Sequence, residues 1–81
     1  MNVAPRNIDR LFARAVQHHR AGQLRDAEGL YLDILSVDPR HINSLYNAGL
    51  IGVQVGRPEV AVDLIGKAIA LNRDKIGRAH V

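Results

Sequence analysis

Apolar residues recur along the chain at helical spacing, in four separate stretches. Ile8, Leu11, Phe12, Ala15 and Val16 fall at i, i+3, i+4, i+7 and i+8, which gathers them on one face of a helix over about 7–21, with Asn7 as its N-cap. Gly22 tolerates the positive φ that ends such a helix, and the pattern restarts with Leu24, Ala27, Leu30, Tyr31, Ile34 and Leu35. That second stretch ends at Asp38-Pro39, because proline disfavours the α conformation in the residue before it. Leu45, Tyr46, Gly49, Leu50 and Val53 make a third stripe, closed by Gly56. Pro58 opens a fourth at a first-turn position where its missing N–H costs nothing, and Val60, Ala61, Leu64, Ile65, Ala68 and Ile69 continue it.

A shift of 34 positions lays the second half of this pattern on the first. Ile8 falls on Ile42, Leu11 on Leu45, Gly22 on Gly56, Ala27 on Ala61 and Leu30 on Leu64, with Phe12 on Tyr46, Val16 on Leu50, Leu35 on Ile69 and Val37 on Leu71 as conservative pairs. A fixed period of this length marks stacked units, each of which needs a neighbour to cover its apolar face. The expected fold is all-α: tandem helix-turn-helix units over 8–41 and 42–75, an α-solenoid, preceded by an extension over 1–7. Small residues, Ala15 opposite Ala27 and Gly49 opposite Ala61, are expected to let paired helices approach closely. Gly52 and Gly66 inside helices each cost about 1 kcal/mol against alanine, so each calls for a packing reason or marks a soft unit.

Helix, glycine, helix and Asp-Pro at this period resemble the tetratricopeptide repeat. The residues that carry the resemblance are Leu11, Ala15, Gly22, Ala27, Tyr31 and Pro39 in the first unit, and Leu45, Gly49, Gly56, Ala61 and Ala68 in the second. Arg14 stands where that pattern prefers leucine, His18 and Gly52 where it prefers tyrosine, and Arg73 where a second proline belongs. The resemblance implies a concave surface lined by the first helix of each unit, with Phe12, Val16 and His19, then Tyr46, Asn47, Leu50 and Val53 at the matching positions. Aromatic, aliphatic and amide groups mixed in this way suit a protein or peptide partner held by apolar anchors and a hydrogen bond from Asn47. Repeats that bind chaperone tails carry lysine and asparagine on this surface to clamp a carboxylate. Phe12, Val16, Tyr46 and Leu50 stand there instead, which argues against such binding.

Ala27-Glu28, Leu30-Tyr31, Ile34-Leu35 and Asp38-Pro39-Arg40-His41 also resemble the N-terminal repeats of bacterial O-linked N-acetylglucosamine transferases of the SPINDLY type. In those enzymes an asparagine in the first helix binds the substrate backbone. Asn47 matches that position and Ala13 in the first unit does not. This resemblance implies a substrate-recruiting segment of a larger glycosyltransferase.

Composition narrows the function classes. The chain has 81 residues, 47% of them hydrophobic and 23% charged, so it is one small domain whose folding buries roughly 60–65% of the unfolded surface. Absence of cysteine removes disulfide frameworks, thiolate metal sites and cysteine nucleophiles, and fits a cytoplasmic location. No uninterrupted apolar run is long enough for a signal peptide or a membrane span, and no membrane partner is expected. Adjacent His18 and His19 point about 100° apart on a helix and cannot share a metal ion. Gly49 and Gly52 lie inside a helix and form no phosphate loop. No catalytic constellation is legible, and neither enzyme activity of this segment nor a cofactor is expected.

Net charge is +3, and Arg6, Arg10, Arg14 and His18 make a basic stripe at i, i+4 spacing that an anionic polymer could meet. With no aromatic residue interleaved to stack a base, a solvated cap is the preferred reading, and nucleic acid is not the expected partner. Arg14 and His18 sit where the second unit carries Ala48 and Gly52, as the solvent-facing start of an array would. Ile76-Gly77-Arg78-Ala79-His80-Val81 breaks the pattern where a third unit should begin, and it resembles the conceptual translation of a sequencing adapter. The expectation is a non-native tail over 76–81 on an N-terminal piece of a longer protein, whose uncapped last helix leaves Leu64, Ile65 and Ile69 open to self-association.

Overall fold

In the computed structural model, which describes residues 7–79 with side chains through 75, the chain is all-helical. Helices α1 (Asn7–Arg20), α2 (Leu24–Val37), α3 (Ile42–Gln54) and α4 (Pro58–Ala79) follow one another, and no strand occurs among the described residues. Each packs on the next: α1 on α2, α2 on α3, α3 on α4. α1 begins with Asn7 as its first helical residue, where an N-cap was expected, and α4 begins at Pro58 as the missing proline N–H allows.

The turns explain why sequential helices double back. At the end of α1 the Gln23 N–H donates to the His18 carbonyl (2.9 Å) and the Gly22 N–H to the His19 carbonyl (3.1 Å), the paired bonds of a Schellman motif. At the end of α3 the Arg57 N–H donates to the Gly52 carbonyl (2.7 Å) and the Gly56 N–H to the Val53 carbonyl (3.2 Å), the same pair 34 residues later. Both motifs need a left-handed residue, and Gly22 and Gly56 each take φ of +78°. Entry into the following helix matches too, with the Ala27 N–H on the Gln23 carbonyl and the Ala61 N–H on the Arg57 carbonyl. Between α2 and α3, Asp38 leaves the helical conformation ahead of Pro39, with φ −130° and ψ 86° and its N–H still bonded to the Ile34 carbonyl at 2.8 Å. His41 then caps α3, its Nδ1 accepting from the Ser44 N–H at 3.2 Å while its ring rests against Phe12, centroids 5.4 Å apart.

α4 departs from the expected boundary. It runs 22 residues to Ala79, against 14 for α2, so the backbone over 76–79 continues the helix where a break was expected. The reason is local: Arg73 stands at the position of Pro39, and with no proline or left-handed glycine there nothing ends the helix. Residues 1–6 and 80–81, which include Arg6, most of the N-terminal extension and the end of the tail, lie outside the described residues.

The core is sealed by Ala15, Ala27, Tyr31, Ala48 and Ile51, with Phe12, Leu24, Leu30 and Leu64 packed against them. Ile8, Ile34, Leu45, Ala61 and Ala68 are also buried. Leu11 is half-buried, and Gly22, Gly56 and Pro39 act at the turns rather than inside. The close approach between α3 and α4 differs in detail from the expected Gly49–Ala61 pairing. A Cβ on Gly49 would lie 2.5 Å from Ile65 Cγ1, and one on Gly52 would lie 3.2 Å from the Ala61 backbone nitrogen. Gly49 therefore faces Ile65, and Gly52 is the residue that faces Ala61. Gly52 thus has its packing reason, whereas Gly66 has nothing within 4 Å inside the chain.

Alanine substitutions should separate these cases. Gly49→Ala is expected to destabilise the fold by about 1–3 kcal/mol, through overpacking against Ile65. Gly29→Ala, in the interior of α2 with nothing within 4 Å of the added Cβ, should stabilise it by about 0.5–1 kcal/mol. Urea denaturation of the two variants checks both signs.

Candidate functional site

Tyr31 organises the surface that α1 and α3 share. Its ring is fully buried, 5.9 Å from Phe12 and 6.1 Å from His19 between centroids. Its hydroxyl accepts from Asn47 Nδ2 at 3.3 Å and stands 3.4 Å from His19 Nδ1. His19 Nε2 in turn lies 2.8 Å from Gln54 Oε1. An amide oxygen only accepts, so Nε2 carries the proton. In the neutral ring Nδ1 is then the acceptor, and the Tyr31 hydroxyl donates to it. The bonds run in one direction, Asn47 to Tyr31 to His19 to Gln54, and tie α3, α2 and α1 together.

The seven residues expected to line a groove divide into two groups. Phe12, Val16, His19 and Asn47 are half-buried, and three of them are occupied around Tyr31. Tyr46 and Val53 remain 46% and 59% exposed, with Leu50 half-buried between them along the same face of α3. Tyr46 borders a shallow hollow of about 300 Å³ with Asn43 and Ile42 of α3 and Ala68, Ile69 and Asn72 of α4. Asn47, assigned a hydrogen bond to a partner's backbone, directs one amide N–H at the Tyr31 hydroxyl instead. Gln54 and Asn43 were not singled out from sequence. Only their spacing from Asn47, seven residues after and four before, marks them as neighbours on that face of α3.

The basic stripe does not form a uniform surface. Arg10 and Arg14 are exposed, while His18 Nδ1 is bonded to Gln23 Oε1. Arg14 shares its depression with Arg25 but also with Asp26 and Asp33, so charge of both signs stands there. Among the described residues no three histidine or carboxylate side chains come together as a metal site would require, and no helix is long and apolar enough to cross a membrane.

No family model, curated protein or solved structure matches this chain.

Burial pushes the Tyr31 hydroxyl above the ordinary tyrosine value of 10.0, and the hydrogen bond from Asn47 opposes that in part. The folded state thus holds this proton more tightly than the unfolded state. The stability it contributes is fully present below pH 10 and is lost as pH rises through the folded-state value. Urea denaturation between about pH 9 and pH 11 should show a stability loss in the native protein that Tyr31→Phe reduces. At neutral pH the same substitution should lower stability by about 1–3 kcal/mol, since it leaves His19 and Asn47 without their shared partner.

Proposed function

We propose that this chain is a tandem-repeat module of the tetratricopeptide kind, which holds a segment of another protein along the outward face of α3 and carries no chemistry of its own. The repeat reading is supported by turn hydrogen bonds that recur 34 residues apart around two left-handed glycines. The binding reading is carried by one observation: Tyr46, Leu50 and Val53 form an apolar row along α3, two of them about half exposed, beside Asn47.

Such a row suits an extended or helical peptide. Large apolar side chains supply anchors whose burial drives association, and a tyrosine orders with the loss of only two torsions. His19 and Gln54 border the row and are held by each other, and Asn47 is held by Tyr31, so little side-chain freedom remains to be lost on binding. Asn43 and Asn72 flank Tyr46 and offer amide groups to a peptide backbone in the same hollow.

Selection of binders from a random displayed peptide library tests this reading. Selected peptides should lose at least about tenfold in affinity, near 1.4 kcal/mol, on Tyr46→Ala, with helicity unchanged because Tyr46 lies outside the core. Equal affinity for the native protein and Tyr46→Ala would overturn the assignment, as would a library that yields no binder.

A further inference from the structure

The two ends of the helical stack differ in chemistry. At the α1–α2 end an open depression of about 530 Å³ is lined by Arg14, His18, Arg25, Asp26 and Asp33 among others. At the α3–α4 end an open hollow of about 400 Å³ is lined by Val53, Pro58, Val62, Ile65, Gly66 and Ile69, with no polar side chain. Val62 is 75% exposed and Ile69 52%. Strongly exposed aliphatic side chains gathered in one hollow make this end a candidate contact surface.

We propose that the α3–α4 end is the interface of a two-fold homodimer, in which α4 of one copy crosses α4 of the other antiparallel near Ile65 and Gly66. The chemistry of the ends selects this arrangement. Head-to-tail stacking would press Arg14, Arg25, Asp26 and Asp33 against hydrocarbon, which strips charged groups of water without supplying partners. A two-fold contact instead sets the apolar hollow on itself, as a self-complementary interface requires. An axis close to Ile65 exchanges positions 63 and 67, so Asp63 of one copy meets Lys67 of the other. Within one chain these two form an exposed pair at 3.3 Å, one turn apart, which leaves both side chains able to bridge across the axis. Gly66, which meets nothing within 4 Å in its own chain, allows the two helix backbones to approach at the crossing. That gives a role to a helical glycine with no packing reason inside the monomer.

This inference does not rest on peptide binding. Val53 belongs to both surfaces, so the test uses Val62 and Gly66, which lie outside the peptide row. Sedimentation equilibrium of the full chain should show one discrete species of twice the 8.9 kDa chain mass at high concentration. Val62→Glu should return it to the single-chain mass, and Arg25→Glu at the opposite end should leave it a dimer. A single-chain mass at every concentration overturns the proposal, as does an open-ended series of larger species or a dimer that survives Val62→Glu. Because the chain has no cysteine, one introduced thiol gives a second readout that does not depend on how Val62→Glu folds. Gly66→Cys should form a disulfide-linked dimer at least about tenfold faster than Arg25→Cys under the same oxidant, since the interface raises its effective concentration. Equal rates overturn the proposal.

Discussion

The buried hydroxyl of Tyr31 is the constraint on which the arrangement of α1, α2 and α3 depends. A phenol that is fully sealed must find hydrogen-bond partners or lose the free energy of desolvation, a penalty of about 1–3 kcal/mol. Tyr31 satisfies the requirement with one group from each neighbouring helix, Asn47 from α3 and His19 from α1. Apolar packing alone would tolerate rotation or sliding of these helices, since it has no direction. The hydroxyl restricts that freedom: the observed register places an amide donor and an imidazole acceptor around the same oxygen. Gln54 extends the constraint by fixing the far side of His19.

Close approach of the helices is the second requirement, and the two helix pairs meet it differently. In the first, Ala15 and Ala27 are both fully buried beside Tyr31. In the second, Ile65 stands 34 positions after Tyr31, and Gly49 stands 34 after Ala15. Isoleucine branches at Cβ, so its bulk lies nearer its own backbone than a tyrosine ring does. The facing residue then has to give up its Cβ, and the 2.5 Å that would separate a Cβ at 49 from Ile65 Cγ1 measures that need. The exchange from alanine to glycine is thus tied to the exchange from tyrosine to isoleucine.

Much of this was legible in the sequence. The four helices and both turning glycines followed from apolar periodicity and from the scarcity of residues that accept positive φ. What the sequence left open was pairing across helices. Gly49 was matched with Ala61 because both are small and share a level in the repeat, whereas side chains lean toward the helix N-terminus and shift the contact by about one turn. Asn47 read as a free amide because nothing local shows that Tyr31, sixteen residues earlier, aims its hydroxyl there. The cap at α3 escaped notice for a similar reason. Histidine is not among the usual capping residues, and His41 accepts from the Ser44 N–H while its ring rests against a phenylalanine from another helix.

The same substitution of isoleucine for tyrosine explains why the interior junction around Tyr31 and the α3–α4 end differ in what they require. Wherever Tyr31 is covered, the covering helix has to supply a hydrogen-bonding group at the right height, so only a surface like that of α3 fits. Ile65 makes no such demand, because any close-packed apolar surface satisfies it. In the proposed dimer the α3–α4 end therefore needs only a close-packed apolar surface, with the charges of Asp63 and Lys67 at its margin, and no buried polar bond. A polar requirement inside the chain and its lack at the α3–α4 end thus follow from the side chains at two positions 34 residues apart, Tyr31 and Ile65.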